Sequence, residues 1–88
     1  MRVHDLAITK DFQLQDLQRI SHKANQFISE IIIEFDYNET RNVIDVKSLL
    51  GMLLLPIKKG TTITIKTKGR DEKEAIDFLC ELIENYKQ

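Results

Sequence analysis

Eighty-eight residues leave room for one domain with one core, and a chain with 42% apolar and 31% charged residues is globular rather than disordered. A net charge of −1 gives no general attraction to nucleic acid or to an anionic membrane, and no apolar run approaches the ~20 residues that span a bilayer. The single cysteine, Cys80, cannot form an internal disulfide, and the N-terminus lacks a charged-then-apolar signal; both features are expected of a cytoplasmic protein.

Arg2 to Ile8 reads as a first strand, with Leu6 and Ile8 on one face and His4 at the same parity, at the core margin. From Gln13 to Ile28, Leu14, Leu17, Ile20, Ser21, Ala24, Phe27 and Ile28 fall in one stripe of helical period, with Gln15, Gln18, Arg19, His22 and Lys23 elsewhere on the helix. Asp11 is the expected N-cap, and Asp16 adds a negative charge that the helix dipole favours in the first turn. His22 is expected well inside this helix on its polar side. Neither histidine has companions at metal-ligand spacing, so no metal is expected.

Glu30 to Phe35 is the clearest strand, with Ile31, Ile33 and Phe35 inward. Asp36 to Thr40 is polar, and Asn42 to Val46 forms the next strand, so a hairpin is expected with a loop longer than the tightest types. Ser48 then stands at the N-cap of a short Leu-rich helix that Pro56 and Gly60 end. Leu49, Leu50, Leu53 and Leu54 circle the axis of so short a helix, so some must be exposed or packed on a partner.

Thr61 to Thr67 alternates, with Ile63 and Ile65 inward, which is the pattern of a sheet solvated on one face. Asp71 followed by Glu74 suggests a capping box for a last helix from Glu72 to Tyr86, whose apolar stripe centres on Leu79. Cys80 is read as a small core-edge side chain, with no basic cluster to activate its thiol. The order βαββαβα predicts one domain over residues 1–88: an α+β open-faced sandwich, with a four-stranded antiparallel sheet and three helices on one face. Acids concentrate between Glu30 and Asp45 and bases between Pro56 and Lys73. Solvated faces are the plain reading of that asymmetry; orientation of a charged partner is the alternative.

Several stretches resemble HPr, the histidine-containing phosphocarrier of the bacterial sugar phosphotransferase system. Val46-Lys47-Ser48-Leu49-Leu50-Gly51-Met52 is similar to the segment around that family's regulatory serine, and Lys59-Gly60, Ile63-Thr64-Ile65 and Gly69 with Asp71-Glu72 fall at matching spacing. The family's catalytic motif is histidine-alanine-arginine-proline at the start of the first helix; here Gln13, Leu14, Gln15 and Asp16 take those places. An amide nitrogen cannot accept a phosphoryl group as an imidazole does, Gln15 brings no cation, and Asp16 adds repulsion.

A subgroup, the catabolite-repression HPr homologues of Gram-positive bacteria, also carries glutamine for the histidine. Its members are phosphorylated on the serine by HPr kinase and bind a transcription regulator. Gln13 and Ser48 match that subgroup; Gln15 and Asp16 depart from it, since the subgroup keeps the arginine and the proline. The resemblance implies a non-catalytic docking or regulatory protein without cofactor. Ser48 would be its modifiable site, and Leu49, Leu50 and Leu53, with Lys47 beside them, its contact surface for a kinase-like enzyme or regulator. The alternatives are a carrier that uses His4 or His22, and a structural module that homodimerises through the leucines.

Overall fold

A computed structural model describes residues 1–54 and 57–85. Its elements are β1 (Arg2–Ala7), α1 (Leu14–Ala24), β2 (Glu30–Tyr37), β3 (Thr40–Asp45), α2 (Leu49–Leu54), β4 (Thr62–Lys68) and α3 (Glu72–Glu84). The strands form one antiparallel sheet in the order β1-β4-β2-β3. Leu55 and Pro56, expected at the end of α2, and Tyr86, expected on the α3 stripe, lie outside the described residues.

The alternation read from the sequence decides which sheet face is buried. Leu6, Ile31, Ile33, Phe35, Ile44, Ile63 and Ile65 all lie on the helix side, where they meet Ile20 and Ala24 of α1, Met52 of α2, and Ala75, Ile76, Leu79 and Ile83 of α3. Ile33 is central, paired with Ile44 on one side and Ile65 on the other. The open-faced α+β sandwich is therefore the fold.

Four expectations change. First, α1 ends at Ala24, not Ile28. Asn25 donates its side-chain amide to Ser21 O (2.8 Å) and to Lys47 O (2.9 Å), which ties off the last turn and bridges it to the entry of α2. Phe27 is then free to pack on Phe78, ring centroids 5.7 Å apart, while Ile28 is left exposed. Second, Gln13, not Asp11, is the N-cap of α1; the Asp11 carboxylate instead accepts the Lys59 N–H at 2.8 Å.

Third, the β2–β3 hairpin is tight. Tyr37 pairs with Thr40, and Asn38 and Glu39 form a two-residue turn with φ of 52° and 62°. Two positive φ values mark the turn whose twist matches that of the strands, and the Asp36–Arg41 pair extends the ladder into the stretch read as loop. Fourth, Asp71 holds the N-cap position of α3, but its side chain makes no cap bond: the carboxylate accepts instead from Ile28 N–H (3.0 Å), Ser29 N–H (2.9 Å) and the Ser29 hydroxyl (2.5 Å). The chain approaches closely there. A Cβ at Gly69, whose φ is +149°, would stand 2.6 Å from Ser29 Oγ.

The uneven charge is folded into the sheet. Lys66 of β4 meets Glu34 of β2 at 2.8 Å, and Arg41 of β3 meets the same carboxylate at 3.3 Å. These cations hold Glu34 below the usual carboxylate range, Lys66 foremost.

Candidate functional site

Tight turning at Asp45 places Ser48. The Asp45 carbonyl accepts Ser48 N–H, and its carboxylate accepts Lys47 N–H, each at 3.0 Å. The Ser48 hydroxyl accepts the Gly51 N–H at 3.1 Å and its carbonyl the Met52 N–H at 3.0 Å, so Ser48 is an N-cap by geometry. It is half-buried. The neighbouring Lys47 does not project freely, because its ammonium donates to Phe27 O at 2.6 Å, in the segment that follows α1.

Within α2, Met52 alone turns into the core. Leu49 is half-buried, whereas Leu50, Leu53 and Leu54 are 71%, 48% and 72% exposed. The cause is geometric: six residues make fewer than two turns, so one side chain can point straight at the sheet and the others fan outward. Leu14, at the start of α1, adds a fourth exposed apolar side chain to the helix layer in which α1 packs on α2. A groove of about 390 Å³ runs beside this edge, lined by Phe12, Leu17, Met52, Leu53, Ile57 and Lys58.

At the start of α1, Gln13 and Gln15 are exposed and Asp16 is turned inward. Asp16 Oδ2 accepts the Gln13 N–H at 2.9 Å and lies 3.1 Å from Lys10 Nζ. The Gln13 amide foremost, with Lys10 behind it, holds the Asp16 carboxyl below its ordinary range against some opposing desolvation. A resident anion thus occupies the helix start, and Gln13 offers no ring nitrogen.

Neither histidine compensates. His4 is exposed on β1, not at the core margin, with Nε2 3.5 Å from Glu84 Oε1. Its parity points to the helix side, but β1 is an edge strand of the sheet, and His4 stands open to solvent there, across from Glu84 of α3. Because α1 stops early, His22 falls in its last turn, where the dipole repels phosphate. Burial, then Glu84 and Asp77, push the Cys80 thiol up to about 11, leaving it protonated at neutral pH. Among the described residues no three His, Cys, Asp or Glu side chains converge on a point that could hold a metal ion.

The structure thus gathers Ser48, Leu49, Leu50 and Leu53 on one short helix and its cap, whose entry is tied to the exit of α1. Sequence reasoning missed Lys10, Asn25 and the destination of Lys47: the last two act across the chain, and Lys10 reaches Asp16 through a turn that no periodicity marks. Only a basic residue six positions before Asp16 hinted at the first.

Comparison with known proteins adds an independent finding. Residues 9–85 match the family model described as the PTS HPr component phosphorylation site. The chain is 44% identical over 62 residues to the HPr-like protein Crh of Halalkalibacterium halodurans, covering 70% of this chain and 69% of that one. It is 34% identical over 67 residues to the phosphocarrier protein HPr of Cupriavidus necator, covering 76% and 75%. The crystal structure of a phosphocarrier protein HPr from Bacillus anthracis superposes with a TM-score of 0.82 at 27% identity, covering 93% of this chain and 95% of that one.

Proposed function

The chain belongs to the HPr family of the phosphotransferase system, and we propose that within it this protein is a non-catalytic docking or regulatory module rather than a phosphoryl carrier. The observation that carries this reading is the start of α1. Where the family's motif has its histidine stands Gln13, and the Asp16 carboxylate already takes the Gln13 amide and the Lys10 ammonium. A phosphoryl group arriving there finds no nucleophile and meets a negative charge.

Docking is the role left to the exposed face. Leu50, Leu53 and Leu54, with Leu14 and half-buried Leu49, supply apolar area with few charges near its centre, the composition of an interface core. Ser48 is the site proposed for regulation, with a kinase-like enzyme as modifier and a regulator or system enzyme as partner in the cytoplasm. A phosphate there would gain the amides of the first turn of α2 and would place roughly two negative charges beside the leucines. Lys47 enters as a neighbouring cation only if it leaves Phe27 O.

The test is direct. The protein is incubated with the system's first enzyme and labelled phosphoenolpyruvate, and separately with an HPr-kinase-type enzyme and ATP. Mass spectrometry should find no label on His4 or His22 in the first reaction and phosphate on Ser48 in the second. Label on either histidine overturns the non-carrier reading; an unmodified Ser48 removes the switch and leaves the docking face to be tested alone.

A further inference from the structure

We propose that the outer edge of β3 pairs with the same edge of a second copy of this chain, extending the sheet across a two-fold axis at Val43. The proposal does not depend on the role of Ser48 or of the leucine face.

The backbone supplies the first argument. The Tyr37–Thr40 pair closes a two-residue turn, and the closing pair of such a turn exchanges both of its hydrogen bonds. Along β3, therefore, Thr40, Asn42 and Ile44 direct their amides and carbonyls at β2, while Arg41, Val43 and Asp45 direct theirs outward. The register is unbroken from Thr40 to Asp45. Proline, lysine and bulges, which normally blunt an edge, are missing over these six residues, and the two exposed charges there, Arg41 and Asp45, are of opposite sign. The Asp45 carbonyl already takes Ser48 N–H and has one lone pair left; the Val43 amide and carbonyl and the Arg41 carbonyl face out.

Side chains supply the second. Arg41, Val43 and Asp45 are all exposed and share the face away from the helices. Antiparallel pairing about Val43 sets Val43 against Val43 and each Arg41 against the other copy's Asp45. That arrangement is one apolar pair flanked by two opposite-charge pairs. Centring the pair on Arg41 or on Asp45 instead sets like charges face to face, so the charges select this register. Arg41 reaches that partner by exchanging solvent-facing contacts within the chain: 3.3 Å to Glu34, 3.5 Å to Asp36 and 3.1 Å to Thr64 Oγ1.

Sedimentation equilibrium of the full chain over a concentration series tests this, with wild type beside Val43→Pro. Because the Val43 N–H faces outward, proline removes nothing from the β2–β3 ladder and removes two bonds from the pairing. The expected result is a weak, concentration-dependent dimer whose dissociation constant rises roughly thirtyfold in Val43→Pro, with the circular dichroism spectrum unchanged. A monomer at every concentration, or a folded Val43→Pro that dimerises like wild type, overturns the proposal. Should Val43→Pro not fold, oxidation of Val43→Cys in a Cys80→Ser background decides. The symmetric pair has disulfide spacing, so it should link, and Thr62→Cys on the same face of β4 should not. Equal linking of the two, or none at Val43→Cys, refutes the edge.

Discussion

Asp71 and Ser29, 42 positions apart, are joined twice through one carboxylate oxygen, which accepts the Ser29 amide at 2.9 Å and its hydroxyl at 2.5 Å. Ser29 is only 1% exposed, so its hydroxyl has no water to turn to, and the contact pins the exit of α1 to the entry of α3. The Ser29 hydroxyl first, then the Ile28 and Ser29 amides, hold the Asp71 carboxyl below its ordinary range, with desolvation opposing. A carboxyl depressed in the folded state contributes its stability above the unfolded value, about pH 4, and loses it as pH falls below that. Urea midpoints of wild type and Asp71→Asn should therefore differ at neutral pH and converge in acid. A gap that stays constant down to pH 2 would refute this latch.

Met52 and Leu50 separate buried core from exposed face on one helix. Met52 is 1% exposed and Leu50 71%. Met52→Ala should cost about 2–5 kcal/mol in chemical denaturation, the range for emptying a core site. Leu50→Ala should stay within about 0.5 kcal/mol of wild type. If the face docks a protein, the Leu50→Ala, Leu53→Ala double variant should weaken capture of that partner at least tenfold with the melting curve unchanged.

Removing the Ser48 hydroxyl leaves the Gly51 amide without its acceptor. Ser48→Ala is expected to lower stability by about 1 kcal/mol, and Ser48→Asp, which can still cap, by less. The thermal midpoints of the three proteins check the order. A Ser48→Ala midpoint equal to wild type would mean that solvent already serves that amide.

If the chain is not a carrier, a histidine at position 13 should not by itself make it one. With Gln13→His the ring would stand beside the Asp16 carboxylate and its Lys10 partner, so labelling from phosphoenolpyruvate should remain at background. Adding Gln15→Arg and Asp16→Pro removes the resident anion and supplies a cation, and label should then appear on residue 13. Label with Gln13→His alone would show that Asp16 is no barrier.

Much of the fold was legible before any coordinates because it follows from short-range pattern. Alternation at Ile31-Ile33-Phe35 and Ile63-Ile65 set which sheet face is buried, and helical spacing placed Ile20, Ala24, Ile76 and Leu79 in the core. Ser48 could be read as a cap because its partner, Gly51, lies three residues away. The departure from the family's carrier motif, on which the proposed function rests, also lies in four consecutive residues, Gln13 to Asp16, and was read there through the resemblance.

What sequence could not settle was which of several local partners a polar side chain would take, since that depends on what the fold brings alongside. Asp71 stands at the cap position of α3 but turned its carboxylate to Ser29 and Ile28; Asp11 took Lys59; Asn25 ended a helix whose apolar period ran on. The number of leucines left in solvent was likewise a tertiary outcome. Their spacing on α2 demanded that some be exposed, but only packing on the sheet and α1 chose Met52 as the one buried residue. Periodicity is a property of the chain alone, whereas a hydrogen bond across dozens of residues exists only once burial has fixed both its ends.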